Sequence, residues 1–168
     1  LNMIELYGAD LSAGKIDIMA QYYNVTENYN HTYKIYPGYK FDDGDFEYFL
    51  DNAWTKAYKL IANLNVLLER CDEENSALTP KLYPIIKGEA LALRGMLHLD
   101  MLRLFGPVYS DATASQVCIP YQLSSSKDIQ PLLPASKVLG HVIDDLEEAS
   151  ELLKEADPKH EYLVLRFY

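Results

Sequence analysis

The chain reads as all-α, a tetratricopeptide-like layered helical scaffold with long irregular loops (an α–α superhelix). Three observations predict it. The stretch Ile85 to Phe105 has apolar residues on two faces of a helix, so it needs neighbours on both sides. One-faced helical patterns flank it, near 46–70 and from Pro134 to about Glu155. Strand-type alternation never exceeds a few residues. No clean repeat of roughly 34 residues marks a tetratricopeptide array, yet stacked helical pairs are the natural setting for a two-faced inner helix.

Leu1 to Tyr23 predicts a helix, a break and a short helix, punctuated by Gly8 and Gly14. Ile16 to Tyr23 is apolar enough to dock on a core. From Asn24 to Gly44 the chain is loop-like, with frequent Asn, Asp and Gly, Pro37, and tyrosines at 29, 33, 36 and 39. Two triplets, Asn24-Val25-Thr26 and Asn30-His31-Thr32, match the N-glycosylation pattern.

Asp45 is placed to cap the next helix, which runs to about Arg70. Leu50, Trp54, Ala57, Tyr58, Ile61, Leu64, Asn65 and Leu68 share one face of it. Asn65 is the polar exception, and a buried amide must be satisfied, so it is expected to hydrogen-bond to an adjacent helix or loop.

Thr79-Pro80 is a good helix start, and Pro84 is expected to delay or kink the central helix. On that helix Ile86, Ala90, Leu93, Leu97, Met101 and Leu104 form one apolar stripe. Leu91, Leu99 and Leu102 form the other, with Gly88 and Gly95 among them. Two thin polar lines separate the stripes: Lys87, Arg94 and His98, and Glu89, Asp100 and Arg103. Each glycine costs roughly 1 kcal/mol of helix propensity against alanine, which predicts close approach of a neighbouring backbone. Gly106-Pro107 ends the helix.

Val108 to Leu133 is a long irregular connection rich in Ser, Asp and Pro. In the last helix Val138, Val142, Leu146, Ala149 and Leu153 make one stripe. Asp144, Asp145, Glu147, Glu148 and Glu151 read as a solvated outer face.

Composition bounds the rest. A chain of 168 residues is one domain or part of one, and 49% hydrophobic content supplies a core. A net charge of -10 argues against nucleic acid. Two cysteines, Cys71 and Cys118, are too few for a disulfide framework. No apolar run approaches the roughly 18 residues of a membrane span, and no signal peptide is present. The opening Leu1 and the apolar close Leu163 to Tyr168 predict a fragment of a larger protein.

Nothing marks an enzyme. Asp42-Asp43-Gly44-Asp45 lacks the bidentate Glu of a calcium loop, and His98 and Asp100 point to different sides of their helix. His141 with Asp144 and Asp145 has no second His or Cys nearby in sequence. No metal site and no cofactor is predicted. The chain has 14 tyrosines against one tryptophan, and eight tyrosines fall between Tyr7 and Tyr48. Tyrosine offers an apolar face and a polar tip, suiting either a ligand surface or a loop packed onto the domain.

Three segments, in order, resemble the SusD/RagB-type proteins, nutrient-binding lipoproteins of the outer membrane in Bacteroidetes. Trp54-x-x-x-Tyr58-x-x-Ile61-x-x-x-Asn65 is similar to one family helix. Gly88-Glu89-Ala90, Leu93-Arg94-Gly95 and Asp100-x-x-Arg103-Leu104-Phe105-Gly106 resemble its central signature, with Gly95 where alanine is usual and Pro107-Val108-Tyr109 in place of D-V-P. Pro134-Ala135-Ser136-Lys137 and Val142-Ile143-x-Asp145-Leu146-x-x-Ala149 resemble a third, with Ala135 where that motif has arginine. Leu6-Tyr7-Gly8 through Asp17-x-x-Ala20 is similar to the family's N-terminal region, so the resemblance covers about residues 4–156.

The resemblance implies that residues 1–168 are a single SusD-like N-terminal helical domain whose C-terminal half lies outside the chain. It implies a surface protein that binds an oligosaccharide or other nutrient and lids a SusC-like TonB-dependent transporter. Membrane contact would come only through a lipid anchor outside the chain. By position, Tyr29, Tyr33, Tyr36, Tyr39, Tyr48 and Asp42 are the expected ligand-binding residues. The competing expectation is an all-helical scaffold that contacts only protein partners.

Overall fold

The computed structural model describes residues 3–25, 33–74 and 76–156. The described chain is all-α apart from one small two-stranded ladder. Its helices are α1 (Lys15–Met19), α2 (Gly44–Cys71), α3 (Tyr83–Phe105) and α4 (Ala135–Ala156), with β1 (Val117–Ile119) and β2 (Leu133–Pro134) between α3 and α4. The chain forms two compact units, Leu1–Lys59 and Leu60–Tyr168, and α2 contributes to each.

In the first unit a π-helical turn, Ile4–Gly8, kinks at Leu6 and precedes α1. This is the predicted helix, break and short helix. The core is Ile18, Ile35, Tyr36, Phe46 and Phe49, with Leu11, Ile16, Met19, Val25 and Leu50 packed against it. Tyr36 is only 2% exposed. Its ring lies 5.3 Å from that of Phe46 and 5.8 Å, edge-on, from that of Phe49. The Lys15 ammonium sits 4.8 Å above the Phe49 ring and pairs with Asp10 at 2.9 Å. The cap of α2 is Asp43 rather than Asp45: the Asp45 N–H donates to Asp43 Oδ1 at 3.0 Å. A capping carboxylate accepts from the amide two positions into the helix, and here that amide belongs to Asp45 itself.

In the second unit α3 is buried on two faces, as the two stripes predict. Leu97 and Met101 are buried on one, Leu91 and Leu102 on the other. Leu64 and Leu68 of α2 share a core cluster with Ala90 and Leu91 of α3 and Ala149 and Leu152 of α4. The glycines sit under α4. A Cβ on Gly88 would lie 2.8 Å from Leu153 Cγ, and one on Gly95 would lie 3.4 Å from the Val142 carbonyl oxygen. The start of α3 is set by one turn that closes on Thr79, whose Oγ1 and carbonyl both accept from the Leu82 N–H. Pro84 then falls in the first turn of the helix, where a missing N–H costs nothing. At the other end Gly106 is extended (φ −97°), not left-handed. Glycine is required there for space, since a Cβ would meet the Leu102 carbonyl oxygen at 2.5 Å.

The 108–133 connection is irregular, as expected, but it is fastened. β1 and β2 pair antiparallel with a bulge between Val117 and Ile119. The Ser125 N–H and hydroxyl both donate to the Glu69 carboxylate, at 2.7 and 2.5 Å. Cys71 and Cys118 are free thiols. No described helix is long and apolar enough to cross a membrane.

Candidate functional site

In the first unit a cleft of about 280 Å³ opens where the turn after α1 meets the turn before α2. It is lined by Ala13, Gly14, Ile18, Tyr23, Asn24, Val25 and Tyr33. The local chain explains its shape. Gln21 adopts a left-handed conformation (φ 60°), which breaks the run that starts at α1 and turns Tyr22 and Tyr23 outward. Tyr39 is also left-handed (φ 48°), and its hydroxyl donates to the Met19 carbonyl at 2.7 Å. That bond ties the 33–43 turn to the end of α1.

The predicted tyrosines separate into three kinds. Tyr33 is exposed and lines the cleft. Tyr39 and Tyr48 are exposed outside it, with Phe41 at 6.1 Å from Tyr39. Asp42 is exposed. Tyr36 is corrected: its ring fills the core between Phe46 and Phe49 and presents no face to solvent. A tyrosine flanked by aromatic partners gains more from burial than from display. Tyr29 lies outside the described residues. Tyr22 and Tyr23 were missed, because the apolar residues before them read as a docking helix that continues to Tyr23. The signal available was the sequence Gln21-Tyr22-Tyr23-Asn24, where polar residues interrupt that run.

Two further corrections meet in the second unit. Arg94 and His98, read as part of a polar line, are buried, and so is Asp145, read as part of a solvated face. Arg94 forks onto Asp145, Nε to Oδ2 at 2.7 Å and Nη2 to Oδ1 at 2.6 Å. Its Nη1 donates to Asn65 Oδ1 at 2.9 Å. Asn65, buried as predicted, donates through Nδ2 to the carbonyls of Gln122 and Ser124, both at 3.0 Å. Tyr121 donates to Asp145 Oδ2 at 2.6 Å and stacks on His98 at 3.7 Å between ring centroids. The Gln122 N–H donates to His98 Nε2 at 3.1 Å, so the ring's proton sits on Nδ1, which faces the Arg94 carbonyl at 2.9 Å.

Desolvation at this buried site pulls the His98 pKa down to about 4. Burial and the bond to Asp145 push the Tyr121 hydroxyl well above its ordinary value. Burial works against the Arg94 charge, but the fork onto Asp145 outweighs it and raises its pKa. The cluster has every buried polar atom satisfied, which fits a fastening for the 119–125 segment rather than a reactive centre.

Among the described residues no group of three His, Cys, Asp or Glu side chains comes together to hold a metal. A second cleft, of about 310 Å³, lies at the end of α3, walled by Leu99, Leu102, Pro107, Val108, Tyr109 and Leu139 with Arg103 and Gly106.

The three segments that carry the family resemblance each supply one member of the buried cluster: Asn65, Arg94 and Asp145. Comparison agrees with that resemblance. A SusD-like family model, described as starch-binding associating with outer membrane, matches residues 9–166. No curated protein matches the chain.

Proposed function

The chain belongs to the SusD-like family, and from that premise we propose that it captures a glycan or other nutrient at the cell surface for a SusC-like TonB-dependent transporter. It is a binding protein and not an enzyme, held at the outer membrane by a lipid anchor. The layered helices serve as a tetratricopeptide-like scaffold within one SusD-like domain, and the loops of the first unit carry the ligand. The observation behind this reading is the set of exposed aromatic rings on that unit: Tyr22, Tyr23, Tyr33, Tyr39, Phe41 and Tyr48. Sugar rings present C–H faces that pack on aromatic surfaces, and the phenol tips remain for hydroxyl groups.

The other reading, a scaffold that contacts only proteins, draws on exposed apolar side chains of the 108–133 segment, Val108, Ile129 and Leu132 among them. Glycan-array binding by the purified full-length protein separates the two, together with co-purification from detergent-solubilised outer membranes. Array binding with a co-purifying TonB-dependent transporter supports capture and delivery. A silent array with a stable protein partner supports the scaffold.

A further inference from the structure

We infer that the 121–125 segment is a latch that acid opens: protonation of His98 breaks the bonds that hold this segment on the helices, while α2, α3 and α4 stay folded. This device lies in the second unit and does not depend on what the first unit binds.

The segment is fastened by polar bonds to three helices. On α2, Asn65 holds the Gln122 and Ser124 carbonyls, and the Glu69 carboxylate accepts from the Ser125 N–H and hydroxyl. On α4, Asp145 accepts from the Tyr121 hydroxyl. On α3, His98 Nε2 accepts from the Gln122 N–H at 3.1 Å, and its ring lies nearly parallel to Tyr121, 16° between planes. Tyr121 is the buried anchor, while Leu123 and Ser124 are exposed, so little apolar surface holds the segment beyond that ring.

The bond to His98 is the one that pH reverses. The Arg94 carbonyl takes the proton on Nδ1, which leaves the lone pair of the neutral ring at Nε2. An imidazolium donates at both nitrogens. Its Nε2 proton would point at the Gln122 N–H, two donors face to face. The surroundings do not absorb the charge. Burial is the largest obstacle to it; the bond to the Arg94 carbonyl favours it, the Arg94 guanidinium opposes it, and on α4 Asp145 favours it while His141 opposes it. Asp145 is already engaged by the Arg94 fork and by Tyr121. Swinging the segment away removes the opposing N–H and admits water to the ring. The helices keep a core of their own, Leu64 and Leu68 with Ala90, Leu91, Ala149 and Leu152. The segment can therefore leave without breaking that core.

The test is hydrogen exchange of the full-length protein, read by mass spectrometry on peptides covering 119–126 and α3, with intrinsic exchange rates corrected for pH. From pH 7 to pH 5 the opening of the 121–125 amides is expected to rise about 20-fold, the ratio set by an ordinary histidine in the open form and one titrating near 4 in the closed form. That opening is expected to respond little to low urea, because it exposes little surface, whereas the core amides of α3 exchange with the urea dependence of global unfolding. His98→Gln keeps an acceptor for the Gln122 N–H and does not titrate, so its segment opening is expected to change less than about twofold over the same range. Opening that is indifferent to pH overturns the inference, as does an acid response that persists in His98→Gln. A segment that shares the urea dependence of α3 overturns it too, since it then leaves only when the whole protein unfolds. This last comparison uses the unaltered protein and decides the matter even if His98→Gln fails to fold.

Discussion

Arg94, Asn65 and Asp145 are the three side chains on which the second unit closes. The Arg94–Asp145 fork is nearly excluded from water, with the two side chains 8% and 6% exposed. A buried pair of this kind is expensive to break and cheap to replace whole. Asp145→Ala strands a buried guanidinium, and urea unfolding is expected to show a loss of about 3–5 kcal/mol. Replacing both partners by apolar residues, as in Arg94→Met with Asp145→Leu, is expected to recover only part of that loss, because Asn65 Oδ1 then loses Arg94 and the Tyr121 hydroxyl loses Asp145 as partners. A double variant no better than Asp145→Ala would mean that the stranded guanidinium is not the main cost of the single substitution.

His98 sets a pH dependence of its own. It faces Arg94 on α3, Tyr121 and the Gln122 amide on the connecting segment, and His141 and Asp145 on α4. Its folded pKa of about 4 lies below the ordinary histidine value of 6.5. Between those values the unfolded chain binds the proton and the folded chain does not. Stability is therefore full above about pH 6.5 and falls as the pH drops toward 4, by about 3 kcal/mol in all. A His98→Gln variant, with an amide to accept the Gln122 N–H, is expected to lose this slope. Urea midpoints measured from pH 7 to pH 4 test it, and parallel slopes in the two proteins would reject it.

At the scale of elements, the two glycines of α3 differ in a way that can be measured. A Cβ at Gly95 falls at ordinary van der Waals distance from Leu146, Val142 and Asp145, all 3.4–3.5 Å away. Gly95→Ala is expected to raise stability by up to about 1 kcal/mol through helix propensity. A Cβ at Gly88 would press on Leu153 Cγ at 2.8 Å and approach the Ala149 carbonyl at 3.3 Å. Gly88→Ala is expected to cost about 1–3 kcal/mol as α4 shifts. Thermal melts of both variants decide this, and a stabilised Gly88→Ala would show that the helices are not in close contact there. In the core of α3, Leu97→Ala is expected to cost about 2–5 kcal/mol.

Helices were the most legible part of the sequence, because burial writes a period of three to four into the chain. Both faces of α3, the exposed acids of α4 and the buried amide of Asn65 follow from that period. Arg94, His98 and Asp145 did not, since periodicity treats every charge as a mark of solvent. Only their meeting in space shows that they neutralise and satisfy one another. Tyr36 was misplaced for the converse reason. Its neighbours in sequence are loop residues, while its neighbours in space, Phe46 and Phe49, come from a helix ten residues on. Tyr23 and Asn24 became visible only through the left-handed turn at Gln21, a backbone choice that no side-chain pattern announces.

For the molecule as a whole, structure and family membership divide the labour. Buried polar bonds and close-packed helices make the second unit a firm body, and the first unit displays aromatic rings, Tyr22, Tyr23, Tyr33, Tyr39, Phe41 and Tyr48. The claim at the centre of this account is that the displayed rings hold a sugar. The most direct measurement is a crystal structure of the full-length protein bound to the tightest neutral oligosaccharide from the array. A pyranose ring in van der Waals contact with Tyr23 or Tyr33, within about 4 Å, is the expected result. A ligand well ordered elsewhere on the protein, with both tyrosines bare, would contradict it.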